Sequence, residues 1–275
     1  IFARHSKMTL QEYFDSTELS PELKNVLTAQ FGDHGLAPED ASFFIHALIS
    51  NHYKNGGFYP AEGPMKISES AVESLKQRGS EVFLKSTVTK IHTKNKKITG
   101  VTAVRNNKEF QIKCSKVIST VGLKNTFSNL ISDPAMENLK AELDKYSPNA
   151  TFVTMYIGFK TSPKKFGFTG ANHWIFKTND LNSIKHSHEN IIKNGIKIAY
   201  LSFPSLKKAT INEKHTATMI IPVDPETFSR WEGSQWQKRS EGYTEYKEQL
   251  HQLMIQFLEN NYPGLTKEIA FSELS

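Results

Sequence analysis

The chain has 275 residues, a formal net charge of +6 and one cysteine, Cys114. That length supports one large domain or two modest ones around a sizeable core, while a single cysteine excludes an intrachain disulfide and a cysteine-built zinc site. No run approaches the roughly twenty apolar residues of a membrane-spanning helix, and no signal peptide is visible.

Residues 1–53 read as helices. Thr9-Leu10-Gln11-Glu12 is a capping-box pattern, and Ser20-Pro21-Glu22 sets an N-cap residue before a proline at the first helical position. Pro38-Glu39-Asp40 is expected to start a further helix, with Phe43, Phe44, Ala47 and Leu48 as core. It runs into Lys54-Asn55-Gly56-Gly57-Phe58-Tyr59-Pro60-Ala61-Glu62-Gly63-Pro64, where glycines allow close approach to the backbone and prolines bend it. Such a loop suits something flat packed against it.

The period then changes. Ile67, Ala71, Val72 and Leu75 recur at helical spacing, and Gly79 stands where a left-handed C-cap belongs. Thr87-Val88-Thr89 is β-branched and reads as a strand. Lys96 to Val101 and Phe110 to Cys114 continue a meander, with turns at Asn95 and Asn106-Asn107. Cys114 is expected there as a buried, inert thiol. Lys116-Val117-Ile118-Ser119-Thr120-Val121-Gly122 reads as a last β-run.

Beyond Asn125 a short helical region precedes Phe152 to Phe159, so uniformly apolar that a strand covered on both faces is expected. Trp174 to Phe176, Ile198 to Phe203 and Thr216 to Ile221 are further strands. Asn179 to Asn194 is a polar surface excursion. A last helix from Tyr243 to Asn261 buries Tyr246, Leu250, Leu253, Met254, Phe257 and Leu258 and ends at Pro263-Gly264. The fold class is α+β, a mostly antiparallel sheet with helices on one face and a small strand meander beside it.

The chemistry-bearing residues form no familiar engine. The chain has ten histidines, yet none makes a helical H-x-x-x-H pair, and His186-Ser187-His188 lacks acidic neighbours, so no metal site is expected. There is no G-x-S-x-G elbow and no phosphate-cradling loop. His46 and His52 flank the glycine loop and read first as hydrogen-bonded structural residues. The lysines at Lys94-Lys96-Lys97, Lys164-Lys165 and Lys207-Lys208 are not interleaved with aromatics, so solvated turns come first and nucleic acid is not expected. Attraction to an anionic membrane surface is the second reading of this charge.

Taken together, the order G-G-aromatic-Y-P, helix, T-V-T-K-I, I-T-G-V and V-I-S-T-V-G resembles the phytoene desaturase, carotenoid isomerase and retinol saturase group of flavin oxidoreductases. The flanking Ala41 to Leu48, Asn51-His52-Tyr53, Leu201 to Ser205 and Thr218 to Pro222 bring it nearest the retinol saturase branch, from about Phe31 onward. A related flavin amine oxidase fits the loop and Phe203-Pro204-Ser205 less well. Two features depart from the group's pattern: Pro60-Ala61-Glu62-Gly63 replaces its usual P-x-G-G, and its G-x-G-x-x-G fingerprint is not in these residues. An internal piece of a longer protein is therefore expected.

The resemblance implies FAD as cofactor, NAD(P)H as an electron source, and a polyene or other isoprenoid lipid as substrate. It implies cofactor contacts at Val88, Ser119, Thr120, Gly122 and Gly57, and substrate contacts at Phe58, Tyr59, Pro60 and Gly63. No catalytic side chain is assigned, since hydride chemistry belongs to the cofactor. Without the resemblance, Val88 is an ordinary buried strand valine and the loop a surface turn with Tyr59 packed beneath it. The expected organisation is 1–64 as helices and glycine loop of a substrate domain, 65–125 as helix and strands shared with an FAD-binding domain, and 126–275 as a mixed α/β substrate domain. A cytoplasmic or a peripheral membrane location suits equally. The alternative from another class is a non-catalytic lipid-binding or interaction module derived from the same group.

Overall fold

The computed structural model describes residues 5–145, 151–180, 182, 190–208, 214–223, 225–235, 238–239 and 242–275. They divide into two compact units, Ile1–Ile67 with Asn149–Ser275, and Ser68–Pro148.

The larger unit opens with α1, Leu10–Asp15, closed by the capping box: Thr9 Oγ1 accepts from Glu12 N and Glu12 accepts from Thr9 N. Ser20 caps α2, Pro21–Thr28, through Leu23 N. The third helix, α3, runs Phe43–His52, and so starts later than the expected Pro38. Leu10 N donates to Ala41 O and Phe43 N to Met8 O, at 2.8 and 3.0 Å. Those bonds hold residues 41–42 extended beside α1, and tertiary pairing overrides the helix-start signal, leaving Pro38 to Asp40 in a turn.

Five antiparallel strands form the sheet, in the order β5-β6-β7-β4-β8: β4 Thr151–Phe159, β5 His173–Phe176, β6 Ile198–Ser202, β7 His215–Val223 and β8 Ile269–Leu274. Alternation decides its faces. Val153, Met155, Ile157 and Phe159 of β4 are buried, as are Ala199 and Leu201 of β6 and Ala217, Met219 and Ile221 of β7. Against them lies the long helix Tyr243–Asn261, whose Leu250, Met254, Phe257 and Leu258 complete one cluster, with Tyr246 and Leu253 packed at its margin. Each fully buried aliphatic side chain contributes about 1.5–3 kcal/mol, so this interface is the larger unit's chief source of stability. The strand Phe152 to Phe159 is not covered on both faces as expected: Phe152 and Tyr156 are 50% and 49% exposed on the other side. An aromatic-rich open face is indistinguishable by composition from a buried one.

The smaller unit begins in the helix Met65–Gln77. Gly79, at φ +75°, ends it: Ser80 N donates to Leu75 O and Gly79 N to Lys76 O, a Schellman pair. The stripe expected on this helix stays solvent-facing, Ile67 at 65% and Leu75 at 45% exposed. The meander follows as β1 Thr87–Lys94, β2 Lys97–Arg105 and β3 Lys108–Lys113, joined by two-residue turns with positive φ at Asn95, Lys96, Asn106 and Asn107. Cys114 lies one residue past β3 and is half-buried. The expected β-run 116–122 joins neither sheet; it is extended, with Ile118 94% exposed, because no strand beside it offers a ladder. A helical turn at Leu123–Asn125 leads into a π-helical turn, Thr126–Leu130, and the helix Glu137–Leu143.

Candidate functional site

The smaller unit carries an open cleft of ≈ 620 Å³. Ile91, Ile98, Phe127 and Ile131 give it apolar walls, and Ser119, Thr120 and Gly122 line it from the extended run. Hydrogen bonds fix that run. The Thr126 hydroxyl donates to Gly122 O at 2.7 Å, so the Ser119 hydroxyl donates to Thr126 Oγ1, also at 2.7 Å. Thr93 Oγ1 donates to Asp133 Oδ2 at 3.0 Å, tying β1 to the cleft's other side. Three of the expected cofactor residues thus meet in one place. Val88 is not among the cleft residues; it pairs with Ala103 beside a register shift in the β1–β2 ladder and is 40% exposed, not buried.

In the larger unit the glycine loop packs on the short helix Pro204–Lys207. Tyr59 and Pro60 are half-buried, and Lys207 Nζ lies 5.5 Å from the Tyr59 ring centroid. Gly63 is buried at φ +95°, where a Cβ would stand 2.7 Å from Lys208 Cε. Gly57 has open space where a Cβ would go. Phe58 is 92% exposed at the loop's tip. So the loop's substrate-contact candidates separate into an anchored set, Tyr59, Pro60 and Gly63, and a projecting Phe58.

Lys207 was legible only as one of a pair of surface lysines, yet it is the cation nearest that loop's aromatic anchor. Its Nζ donates to Ser202 Oγ at 2.8 Å and to Asn172 Oδ1. Burial pushes its pKa below the ordinary lysine value. Ser202 belongs to the sheet's open face, whose other members include Tyr200, Ile220, Thr218 and Tyr156. Part of this face is roofed: a Cβ on Gly32 would meet the Trp174 ring at 2.1 Å, so only glycine fits there. Trp174 and Tyr200 rings lie 4.8 Å apart. Beside them, burial raises the pKa of Asp33, offset by a hydrogen bond from the Tyr53 hydroxyl, and the Asp33 carboxylate raises that of Tyr53.

The histidines near the loop are structural. His46 is buried, and its Nε2 donates to Leu27 O at 2.9 Å, which leaves Nδ1 to accept from His34 Nε2 at 3.0 Å. His34 Nδ1 in turn accepts from Leu36 N. Every ring nitrogen is committed, so neither ring is available to a substrate. His52 is exposed and stacks edge-on with Tyr53. Among the described residues no group of histidine, cysteine or acidic side chains converges on a metal position, and His186-Ser187-His188 lies outside the described residues.

No protein-family model matches the chain. Its curated homologues are all-trans-retinol 13,14-reductases: it is 25% identical to the Danio rerio protein over 283 residues and to the Homo sapiens protein over 279, in each case 98% of this chain. It is also 25% identical over 282 residues to a Danio rerio protein named inactive all-trans-retinol 13,14-reductase. The chain spans 46% of the length of each of these relatives. Among solved structures it superposes on an oxidoreductase from Methanosarcina mazei with a TM-score of 0.65 at 17% identity, covering 99% of this chain and 57% of that one. A putrescine oxidase bound to putrescine gives 0.57 at 13%, covering 100% and 55%. These likenesses establish the α+β fold and agree with the resemblance carried by the loop and strand motifs.

Proposed function

We propose that the chain is the substrate-binding portion of an FAD-dependent oxidoreductase acting on carbon–carbon double bonds of a polyene or other isoprenoid lipid, as a retinol saturase or a carotenoid desaturase or isomerase does. The observation that carries this reading is the match over 98% of the chain to all-trans-retinol 13,14-reductases.

The residues present fit the cofactor. A cleft of ≈ 620 Å³ lies within the range of about 300–1,000 Å³ usual for cofactor and ligand sites, and Gly122 has open space where a Cβ would stand, so a ligand can approach the backbone. Ser119, Thr120 and Gly122 would hold FAD there, with Val88 and Gly57 as its further contacts; Tyr59, Pro60, Gly63 and Phe58 would meet the substrate. Residues 65–125 would then be the part shared with an FAD domain, and 1–64 and 126–275 the substrate domain. Bound FAD supplies hydride transfer, with NAD(P)H as the electron source. The chain's own residues bind the apolar ligand, orient it and keep water out, which is why no acid, base or nucleophile stands apart in the sequence. No helix among the described residues is long and apolar enough to cross a membrane. A charge of +6 suits peripheral contact with an anionic lipid surface, where such a substrate would be collected.

A non-catalytic lipid-binding module is the second reading, favoured by one observation: the identity to the relative named inactive equals that to the others, 25%. The visible absorbance of the complete gene product, purified beside this 275-residue chain, separates the two. We expect a flavin spectrum from the complete product. A colourless protein that cannot be reconstituted with FAD would overturn the enzyme and leave the module.

A further inference from the structure

We infer that Lys207 is the polar anchor of a ligand groove on the sheet's open face, and that the ligand is a polyene carrying an oxygen at one end, a hydroxyl or carboxylate, rather than a hydrocarbon. This rests on the polyene reading and narrows its substrate class.

Strand register defines the groove. Ser202, Thr218 and Tyr156 form one row across β6, β7 and β4; Tyr200, Ile220 and Thr154 form the next; Pro222 and Phe152 form a third. From the first row to the third is four residues, roughly 13 Å of floor. Thr218, Ile220, Pro222 and Thr154 are half-buried, and Phe152 and Tyr156 half-exposed, so the floor is apolar, aromatic and accessible. Lys207 Nζ sits at one end, held to the first row by its 2.8 Å bond to Ser202 Oγ.

Its surroundings differ from those of a structural lysine. An ammonium has three protons, and two go to Ser202 and Asn172. Among the described residues no carboxylate pairs with it and nothing takes the third proton. The only carboxylate in its row, the exposed Glu273 of β8 opposite Tyr156, is three strands away, roughly 14 Å. Tyr59, from the glycine loop, faces the ammonium through its ring and supplies no acceptor at that distance of 5.5 Å. A half-buried cation left with one free proton at the end of an apolar strip is matched by a ligand with an apolar body and an oxygen terminus.

The test is equilibrium binding of three ligands of equal carbon skeleton, all-trans-retinoic acid, all-trans-retinol and the hydrocarbon axerophthene, read by quenching of tryptophan fluorescence. The acid should bind roughly tenfold tighter than the hydrocarbon, the worth of a hydrogen bond to a charged group, with the alcohol between. Lys207→Met should remove that preference while leaving the hydrocarbon's affinity unchanged, and Lys207→Arg should retain it. If Lys207→Met shows no cooperative melt, the wild type decides: 1 M salt should weaken the acid but not the hydrocarbon, and a preference indifferent to salt overturns the anchor. Equal binding of acid and hydrocarbon, or a Met variant that keeps the preference, overturns the anchor alone. Failure of all three ligands to bind overturns the polyene reading and the anchor with it.

Discussion

His34 and His46 occupy one continuous hydrogen-bonded string, from Leu36 N–H through both rings to the Leu27 carbonyl. The string works only while His34 is neutral, because a proton on Nδ1 would face the Leu36 N–H. Burial, and secondarily the neighbouring His46, push the His34 pKa from its ordinary 6.5 down to about 4. An unfolded chain therefore binds a proton at this residue between pH 6.5 and 4 that the folded chain refuses. Stability is full above pH 6.5 and is lost as pH falls toward 4. The slope stays below the limiting value of about 1.4 kcal/mol per pH unit, since the ring is only half-buried. Urea midpoints measured from pH 7 to pH 4.5 should fall less steeply for His34→Gln, whose amide can still donate to His46, than for the wild type. Identical slopes would remove His34 from the account. The structural role of His46 was legible in the sequence, since a histidine on an apolar helix is usually a satisfied one. The role of Lys207 was not, because nothing in a Lys-Lys pair says which ammonium folds inward.

At the scale of elements, the β1–β2 hairpin shows how closely turn chemistry can be read and where it is imperfect. Lys94 pairs with Lys97, so the turn is Asn95-Lys96, with φ +52° and +59°. Both positions demand the left-handed region, which asparagine tolerates and lysine does not. Lys96→Gly should relieve that strain by about 0.5–1 kcal/mol, after its own unfolded-state entropy is counted. Amide exchange across β1 and β2 should slow roughly two- to fivefold if local opening governs it. Unchanged or faster exchange would mean that the lysine conformation carries no penalty here. The hairpin was legible because its turn residues and its alternation agree. The run 116–122 was misread for the opposite reason: β-branched composition records a preference for extension, but a strand exists only where a neighbour completes its ladder. The strand β8 was missed because an edge strand of six residues that carries Glu273 has a weak alternation, and a charged edge guards against pairing with other chains.

For the molecule as a whole, the sequence made the architecture of each unit legible but not which sheet face stays open. Phe152 and Tyr156 contribute to the same apolar count whether they meet a helix, a ligand or water, so only the position of the helix Tyr243–Asn261 on the opposite face distinguishes them. The glycine loop poses the same problem at closer range, and a pair of substitutions resolves it. Gly63 sits at φ +95° with Lys208 against its open side, so Gly63→Ala forces a side chain into a backbone conformation it rarely adopts and should cost about 1–3 kcal/mol. Gly57 has no positive φ and nothing within 4 Å of a Cβ, so Gly57→Val should shift the stability of this chain by less than about 0.5 kcal/mol. The space beside Gly57 has a different meaning in the complete protein if the loop runs against a flat cofactor or ligand. There the isopropyl group displaces the reacting partner by an ångström or more, and turnover should fall on the order of a hundredfold or more, with the melting temperature unchanged. A stable Gly57→Val protein with full turnover would show that the loop is a surface turn anchored by Tyr59, and would move the reacting centre away from it.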